Sequence, residues 1–246
     1  MKKKIYFISD IHLGLHDKLR EKEKEDILVS FLSGIRQDAS HLVIVGDLFD
    51  YWFEYKLVIQ KGYYRLFTAL SDLHIAGVKI IYIIGNHDFM HRDFFKSEFA
   101  AEMIENDLSN EFYGKKFYIA HGDGLNKNDT GYLFLKKFMR NKFLQKLYSL
   151  IHPDCGIKIA SKSSKRSRDY TSNKFSDESD RLIDVAKSKI DEGFDFVVFG
   201  HTHIKSELDY KNGKYVNLGT WLEKPYYGVF DGEKLEIKEW KINFNE

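Results

Sequence analysis

Few residues in this chain could cross-link it, break its helices or hold it in a bilayer. Among 246 residues there is one cysteine, Cys155, so an internal disulfide is excluded, and this usage fits a reducing compartment. Only two prolines are present, and no apolar run reaches the roughly 18 residues that a membrane-spanning helix needs. The lysines after Met1 precede only a short apolar stretch, Ile5 to Ile8, which is typical of a strand and not of a secretion signal. We therefore expect a cytoplasmic protein.

The composition is that of one globular domain with an uneven distribution of charge. Hydrophobic residues make up 43% of the chain, enough for one sizeable core, and the net charge is +1. Residues 126–174, however, carry twelve Lys and Arg side chains against three Asp, a net charge of +9. The same segment is too rich in apolar residues for one buried helix face. We predict a single domain over residues 1–246, with a helical cap insertion over residues 126–185.

Short β-rich runs alternate with amphipathic stretches along most of the chain. This alternation predicts an α/β fold. Helices are expected near Glu21–Arg36 and Gln60–Ala76, and the predicted strands are Lys4–Ser9, Leu42–Gly46, Lys79–Gly85, Lys116–Ala120 and Phe196–Phe199. Asn212-Gly213 and Asp231-Gly232 are strong hairpin signals, so we expect the C-terminal third to be antiparallel.

Five short polar motifs each follow one of the predicted strands. They are Asp10-Ile11-His12, Gly46-Asp47, Gly85-Asn86-His87-Asp88, His121-Gly122 and Gly200-His201-Thr202-His203. Side chains at the ends of strands in one α/β sheet converge on a single crevice. The motifs supply imidazoles from His12, His121, His201 and His203, and oxygen ligands from Asp10, Asp47 and Asn86. This mixture suits manganese, zinc, iron or cobalt, and seven ligands serve two ions if one carboxylate bridges.

Each motif alone is a weak signal. Asp-x-His after a strand is structural in most proteins, and Gly-Asp is ordinary turn chemistry. Gly-His-Thr-His is stronger, because alternate side chains of an extended segment face the same way. The occurrence of all five, in order and each after a strand, favours a metal site over a coincidence.

The ordered set of motifs resembles the calcineurin-like metallophosphoesterase superfamily. That resemblance implies a four-layer sandwich, in which two mixed β-sheets are flanked by helices and two divalent metal ions lie at one edge. It places Asp10, His12 and His203 on the first ion and Asn86, His121 and His201 on the second, with Asp47 bridging. Manganese is the expected ion, with zinc, iron or cobalt as alternatives.

The two-metal arrangement implies a chemistry. Two cations about 3.5–4 Å apart can hold a shared water and clamp the phosphoryl group that it attacks. The resemblance to the superfamily implies that His87 assists the leaving oxygen as a catalytic donor, with Asp88 orienting its ring. Asp123 is expected to support His121 by a hydrogen bond, or else to serve as a turn residue.

The cationic, aromatic-rich segment within the predicted cap has three interpretations. It could bind a ligand that carries phosphate and apolar tails and is met at an anionic membrane surface. It could be a solvated helical face, since Lys and Arg often serve only solubility. It could also be a groove for nucleic acid.

A closer resemblance favours the first interpretation. The segments Gly46–Trp52, His121–Leu125 and Asn217–Trp221 look like those of the UDP-2,3-diacylglucosamine diphosphatase family. The resemblance implies hydrolysis of the pyrophosphate bond of UDP-2,3-diacylglucosamine, which gives 2,3-diacylglucosamine 1-phosphate (lipid X) and UMP in lipid A biosynthesis. It implies substrate contacts from Asn86, His87, Asp129, Ser167, Lys174 and His201, and a cap whose apolar faces take the acyl chains.

The resemblance also sets expectations for partners. A lipid-linked sugar nucleotide is the expected substrate, met by reversible peripheral contact with the inner leaflet of the membrane; neither nucleic acid nor a protein partner is expected. His87 departs from the pattern of that family, which usually has Arg there. This departure is compatible with another branch that has the same substrate, or with a relative that acts on another lipid-linked or nucleotide diphosphate. The alternative enzyme is a nucleotide or cyclic-nucleotide phosphodiesterase of the same superfamily, which would not need an apolar cap. A non-catalytic scaffold is disfavoured, because a scaffold should have lost ligands and this chain has the whole set.

Overall fold

Eleven strands form two mixed β-sheets in a computed structural model that describes residues 3–125, 130–161 and 175–242. The strands are β1 (Lys4–Ile8), β2 (Ala39–Val45), β3 (Lys79–Ile83), β4 (Glu102–Ile104), β5 (Asp107–Phe112), β6 (Lys115–Ala120), β7 (Phe196–Phe199), β8 (Ser206–Tyr210), β9 (Gly213–Asn217), β10 (Tyr226–Phe230) and β11 (Leu235–Glu239). The first sheet has the order β11-β10-β1-β2-β3-β4, and the second has the order β5-β6-β7-β9-β8.

The strands that precede the polar motifs are parallel neighbours. In the first sheet β1, β2 and β3 pair in parallel, and in the second sheet β6 pairs in parallel with β7. These strands are apolar on both faces, as expected for parallel strands that are covered on both sides. Their carboxyl ends therefore meet at one edge of the molecule, where the polar loops begin.

Seven helices accompany the sheets in the described part of the chain. They are α1 (Lys18–Ile35), α2 (Tyr64–Ile75), α3 (Phe94–Phe99), α4 (Thr130–Met139), α5 (Lys142–Tyr148), α6 (residues 153–161) and α7 (Phe175–Asp191). The start of α1 is capped by Asp17, whose carboxylate accepts from the backbone N–H groups of Leu19 and Arg20. Asn141 caps α5 in the same way and separates it from α4.

The main core lies between the two sheets. Phe7 of the first sheet stacks on Phe117 of the second with ring centroids 5.9 Å apart. The outer face of the first sheet is covered by α1, α2 and α3, through side chains such as Phe31 and Leu70. The outer face of the second sheet is covered by α7, which buries Leu182. The layers are thus helix, sheet, sheet and helix, which confirms the predicted four-layer α/β sandwich.

The C-terminal third differs in part from its prediction. Both hairpins are present, because β8 pairs antiparallel with β9 and β10 pairs antiparallel with β11. However, β9 also pairs in parallel with β7, so this third of the chain is not purely antiparallel. The hairpin signal reports only the local partner of a strand, whereas β9 lies inside the sheet and has a second neighbour. The short elements α3, β4 and β5 were not predicted.

Three of the helices lie in the segment predicted as an insertion. We call α4, α5 and α6 the cap helices; α4 and α5 bury none of their side chains. The predicted limits of the cap, 126–185, stay a prediction, and the limit at 185 falls inside α7. Among the described residues, we find no helix with the length and apolar character needed to cross a membrane.

Candidate metal centre

The seven predicted ligands converge at one edge of the two sheets. Asp10 and His12 follow β1, Asp47 follows β2 and Asn86 follows β3. From the second sheet, His121 follows β6, and His201 and His203 follow β7. Because these strands are parallel within each sheet, the structure brings together residues that are up to 193 positions apart in the sequence.

One group of ligand atoms surrounds the carboxylate of Asp10. Its Oδ1 atom lies 3.3 Å from Nε2 of His203 and 3.7 Å from Nε2 of His12. The two Nε2 atoms are 3.1 Å apart. Oδ1 of Asp10 is fully buried and accepts no hydrogen bond within the described residues. Buried charges are normally paired or coordinate a metal, so this orphaned oxygen between two imidazoles fits a cation.

A second group adjoins the first through Asp47. Its Oδ2 atom lies 3.3 Å from Nε2 of His121 and 3.8 Å from Nε2 of His12. Nε2 of His121 is also 3.0 Å from Oδ1 of Asn86, and the rings of His121 and His201 have centroids 5.1 Å apart. Asp47 thus stands between the two groups, where a bridging carboxylate would have to be. The donor set fits two divalent cations.

Neighbouring opposite charges in this cluster shift the pKa values of His121 and Asp47 toward their charged forms. Burial alone would lower the pKa of His121, but the carboxylates of Asp47, Asp10 and Asp123 together raise the pKa to about 10. Burial would likewise raise the pKa of Asp47, yet the nearby histidines, His121 foremost, hold this pKa well below its usual range. Asp47 is therefore an ionised carboxylate, the form that binds a cation.

Hydrogen bonds orient the imidazole of His121. Its Nδ1 atom lies 2.9 Å from the carbonyl oxygen of Val45 and donates to it. In the neutral ring this bond leaves the lone pair on Nε2, toward Asp47 and Asn86, so a bound cation would take the place of the proton that the raised pKa favours on that atom.

Backbone strain is concentrated at the ligands. Five of them have positive φ angles, in the left-handed region that non-glycine residues seldom adopt: Asp10 (53°), His12 (50°), Asp47 (53°), His201 (69°) and His203 (60°). Such conformations cost about 1–3 kcal/mol each and persist where the surroundings enforce them. Here the sharp turns direct consecutive ligands of the same loop into the crevice.

The glycines of the motifs allow neighbouring loops to approach each other closely. A Cβ atom on Gly85 would overlap the carboxylate of Asp47, and one on Gly200 would overlap the hydroxyl of Ser9. Only glycine therefore allows the loops after β3 and β7 to pass the neighbouring acidic loops.

His87 faces the same crevice, but Asp88 does not orient it. Nδ1 of His87 lies 3.0 Å from the backbone carbonyl of Asp50, which assigns the orienting contact to a residue that the sequence analysis missed. The ring is 4.9 Å from that of His12, and burial lowers its pKa. His87 also forms a group of ligand-like atoms with His12 and Asp47, all within 4.8 Å of one another.

Asp88 instead supports the loops beneath the site. Its carboxylate accepts from the N–H groups of Leu48 and Gly85, each at 2.9 Å, and from the hydroxyl of Tyr82 at 2.5 Å. Asp88 is completely buried, so its oxygens must be satisfied by the donors around it. Burial, followed by the charge of Asp47, raises the pKa of Asp88 to about 6. The expected Asp88–His87 contact is corrected accordingly: Asp88 joins the β2 and β3 loops.

The segment Asn217–Trp221 also supports the ligands. Thr220 Oγ1 and the N–H of Trp221 both donate to the carbonyl of Asp10, at 2.9 and 3.1 Å. Nδ2 of Asn217 donates to the carbonyl of Gly200 at 2.8 Å, just before the two histidines of that loop. This segment carried a family resemblance in the sequence, but its contacts with Asp10 and Gly200 were not predicted.

A cavity of about 260 Å³ extends from Asn86, at the metal edge, to the cap helices. Asn86 and His87 line one end, and Leu135, Met139 and Ile159 line the other. Two of the six predicted substrate-binding residues therefore border this cavity, and His201 lies at the metal edge. Asp129, Ser167 and Lys174 lie outside the described residues.

A larger cavity, of about 470 Å³, lies beside the first and shares Phe53, Phe89 and Arg140 with it. Lys142 and Lys146 of α5 and Arg92 also line it, so this cavity is more cationic.

The chain is similar to known phosphoesterases and to curated sugar-nucleotide hydrolases. A family model described as "Calcineurin-like phosphoesterase" matches residues 3–205. A UDP-2,3-diacylglucosamine hydrolase of Porphyromonas gingivalis is 32% identical, covering 97% of this chain and 98% of that protein. A protein of the same name from Serratia proteamaculans is 31% identical over 87% of this chain and 90% of its own length. A solved archaeal phosphodiesterase aligns with a TM-score of 0.45 and 17% identity, over 96% of this chain and 98% of that one.

Proposed function

The chain belongs to the calcineurin-like phosphoesterase family, and we propose that it hydrolyses the pyrophosphate bond of UDP-2,3-diacylglucosamine, with 2,3-diacylglucosamine 1-phosphate and UMP as products. One observation carries the proposal: a cavity is lined both by the candidate ligand Asn86 with its neighbour His87 and by apolar residues of the cap helices. A substrate that has a diphosphate next to acyl chains matches both ends of such a cavity. The names of relatives that align over nearly the whole chain support the same substrate.

The apolar end of the cavity favours an acylated ligand. Leu135 and Met139 come from α4, Ile159 and Ala160 from α6, and Tyr148 from α5. Each methylene group that leaves water for such surroundings contributes about 0.8 kcal/mol. A substrate without acyl chains would forgo this contribution and should bind much more weakly.

Two divalent cations are the proposed cofactor, with manganese as the expected ion and zinc, iron or cobalt as alternatives. When bound, they supply Lewis acidity toward the phosphoryl oxygens and make water a strong nucleophile at neutral pH. Asp10, His12 and His203 would hold one ion and Asn86, His121 and His201 the other. Asp47, between the two groups, would serve both.

In the proposed reaction, water adds to the phosphorus next to uridine. The bond from that phosphorus to the bridging oxygen breaks, and diacylglucosamine 1-phosphate leaves with the electron pair. His87 is proposed to donate a proton to this leaving oxygen. Because the carbonyl of Asp50 holds Nδ1 as a donor, Nε2 can donate only when the ring carries its second proton. Burial lowers the pKa of His87, and the charge of Asp47 offsets only part of this effect, so the proposed role requires a bound substrate phosphate to favour the protonated ring.

The outer surface of the cap helices is proposed to meet the membrane. Phe134 and Phe143 are 74% and 71% exposed, and Phe138, Leu147 and Leu150 are also exposed. Lys142 and Lys146 lie on the same helices, and cations next to exposed apolar side chains favour anionic lipid surfaces. Reversible contact with the inner leaflet would bring the cavity to a lipid substrate.

The substrate is tested by comparing turnover of UDP-2,3-diacylglucosamine, UDP-N-acetylglucosamine and an aryl phosphodiester, with manganese present. We expect a strong preference for the diacylated sugar nucleotide, and a loss of about 100-fold or more in kcat for His87→Ala, within the range of general acid catalysis. Equal rates on acylated and deacylated substrates would refute the role of the cap. Turnover of nucleotide or cyclic-nucleotide diesters alone would favour the phosphodiesterase alternative.

A further inference from the structure

Helix α4 turns a polar stripe toward the body of the protein, beside the half-buried side chains of Leu133 and Met139. Tyr132, Lys136 and Arg140 follow each other at intervals of four residues and so lie on one face. Their polar atoms contact the loops at the metal edge, whereas Phe134 and Phe138 of the same helix are exposed. A surface helix usually turns mainly apolar residues inward, so three long polar side chains on the inner side are unusual. Polar contacts are therefore a large part of what joins this helix to the domain.

The stripe converges on the buried carboxylate of Asp123, which is only 5% exposed. Nζ of Lys136 lies 2.7 Å from its Oδ2 atom and also donates to its backbone carbonyl at 2.8 Å. The hydroxyl of Tyr132 donates to the same Oδ2 at 2.9 Å. Charge-assisted bonds of this length, sheltered from water, are among the stronger polar contacts in proteins. Asp123 is two residues beyond His121, on the same loop.

Arg140 extends these contacts to a second loop. Its guanidinium lies 3.8 Å from Oδ2 of Asp123 and donates to the carbonyls of Gly85 and Ile84, at 3.2 and 3.4 Å. Gly85 immediately precedes Asn86. One face of α4 is thus bonded to both loops that present the candidate ligands Asn86 and His121, whose side-chain atoms are 3.0 Å apart.

We propose that Asp123, Lys136 and Arg140 form a cap latch, a set of positioning residues through which α4 fixes the loops that present Asn86 and His121. Neither α4 nor α5 has a fully buried side chain, and their apolar residues that face the body are only half-buried, so polar contacts matter for their position. The ring contact between Phe53 and Tyr148, 4.9 Å apart, is a further attachment, on α5. The latch joins the cap helices directly to one of the two ion sites. It sets the spacing between the cavity walls and the reacting phosphoryl group.

The first test measures metal binding without any substrate. Lys136→Met removes the charge and keeps the length of the side chain, and Lys137→Met is the matched control, on an exposed neighbour in the same helix. Metal-stripped protein is titrated with Mn²⁺ by calorimetry. Because outer partners of metal ligands are typically worth 10–100-fold in affinity, we expect one of the two Mn²⁺ sites to weaken about 10-fold or more in Lys136→Met. Lys137→Met should match the wild type.

The second test separates positioning from general destabilisation. Lys136→Arg retains a cation that can reach Asp123, and it should restore most of the Mn²⁺ affinity, whereas Asp123→Asn should lose it. The melting temperature of each metal-free variant is measured alongside. The latch is supported by a variant that weakens one Mn²⁺ site and leaves the other unchanged. The metal-free form of that variant should have the melting temperature of the metal-free wild type.

A third measurement uses turnover and rests on the proposed function. For UDP-2,3-diacylglucosamine, Lys136→Met at saturating Mn²⁺ should raise KM about 10-fold with a smaller change in kcat, because the cavity wall has moved relative to the ions. Wild-type Mn²⁺ affinity at both sites in Lys136→Met and Asp123→Asn overturns the latch. If the wild type itself does not turn over this substrate, the proposed function fails, and the Mn²⁺ titration still decides the latch.

Discussion

The most direct test of the two-ion arrangement is Asp47→Asn. The substitution keeps the shape of the side chain and an oxygen that can accept from the N–H of His87, a bond of 2.9 Å in this structure. It removes the negative charge that lies 3.3 Å from Nε2 of His121 and 3.8 Å from Nε2 of His12. The fold should therefore persist while both ion sites lose a shared ligand.

The size of the effect follows from the position of Asp47 between the two groups. Loss of an outer partner of a ligand costs up to about 100-fold in metal affinity, and loss of a ligand itself should exceed this at both sites. A factor of 100 corresponds to about 2.7 kcal/mol per site. We therefore expect Asp47→Asn to retain neither Mn²⁺ ion at concentrations that saturate the wild type, and to lose nearly all turnover.

The assay is thermal unfolding with and without Mn²⁺. An ion present at 100 times its Kd stabilises the native state by about 2.7 kcal/mol, which for a chain of this size is a rise of about 5–10 °C in Tm for each site. The wild type should show this rise, and Asp47→Asn should not. Asp209→Asn, an exposed aspartate on β8, is the matched control and should behave as the wild type does. An Asp47→Asn protein that still binds two ions with wild-type affinity would refute the bridging role.

Two further predictions concern the loops and the cap. Gly200→Ala places a Cβ atom where it would overlap side chains of the site. We therefore expect the free energy of unfolding in urea to fall by about 1–3 kcal/mol and the Mn²⁺ content to be reduced. Gly193→Ala is the control: its Cβ atom would meet nothing within 4 Å, so it should show backbone strain alone and full metal content. Phe143→Asp should abolish flotation with liposomes that contain anionic lipid while turnover of a water-soluble diester stays unchanged, and wild-type protein that does not float would remove the membrane proposal.

The predicted elements that the structure reproduces are those with strong local signals. The strand Phe196–Phe199 has the predicted bounds, and the hairpins form at Asn212-Gly213 and Asp231-Gly232, because strand patterning and turn chemistry depend on near neighbours in the chain. Elements without such a signal were missed. The edge strand β5, Asp107–Phe112, alternates exposed and half-buried residues and contains only two apolar ones.

The candidate ligands were predictable for a related reason. Each follows directly after a strand, and the parallel pairing of β1, β2 and β3 and of β6 with β7 places those strand ends at one edge. Once the fold was inferred from the alternation of strands and helices, convergence of Asp10 and Asp47 followed from the geometry of one parallel sheet. His121 lies on the second sheet, so only the packing of the two sheets brings it to the same edge.

By itself, the sequence determined the residue types of the site, their order, and the glycines that let the loops approach each other. Only the tertiary structure decided which groups hold those residues in place. Asp88 lies next to His87 in the chain but bonds the loops beneath it, and the carbonyl of Asp50 takes the orienting contact. Asp123 likewise pairs with a cap helix. The reason is physical: a buried polar atom bonds whichever donor packing brings within about 3 Å, and adjacency in the chain does not set that distance.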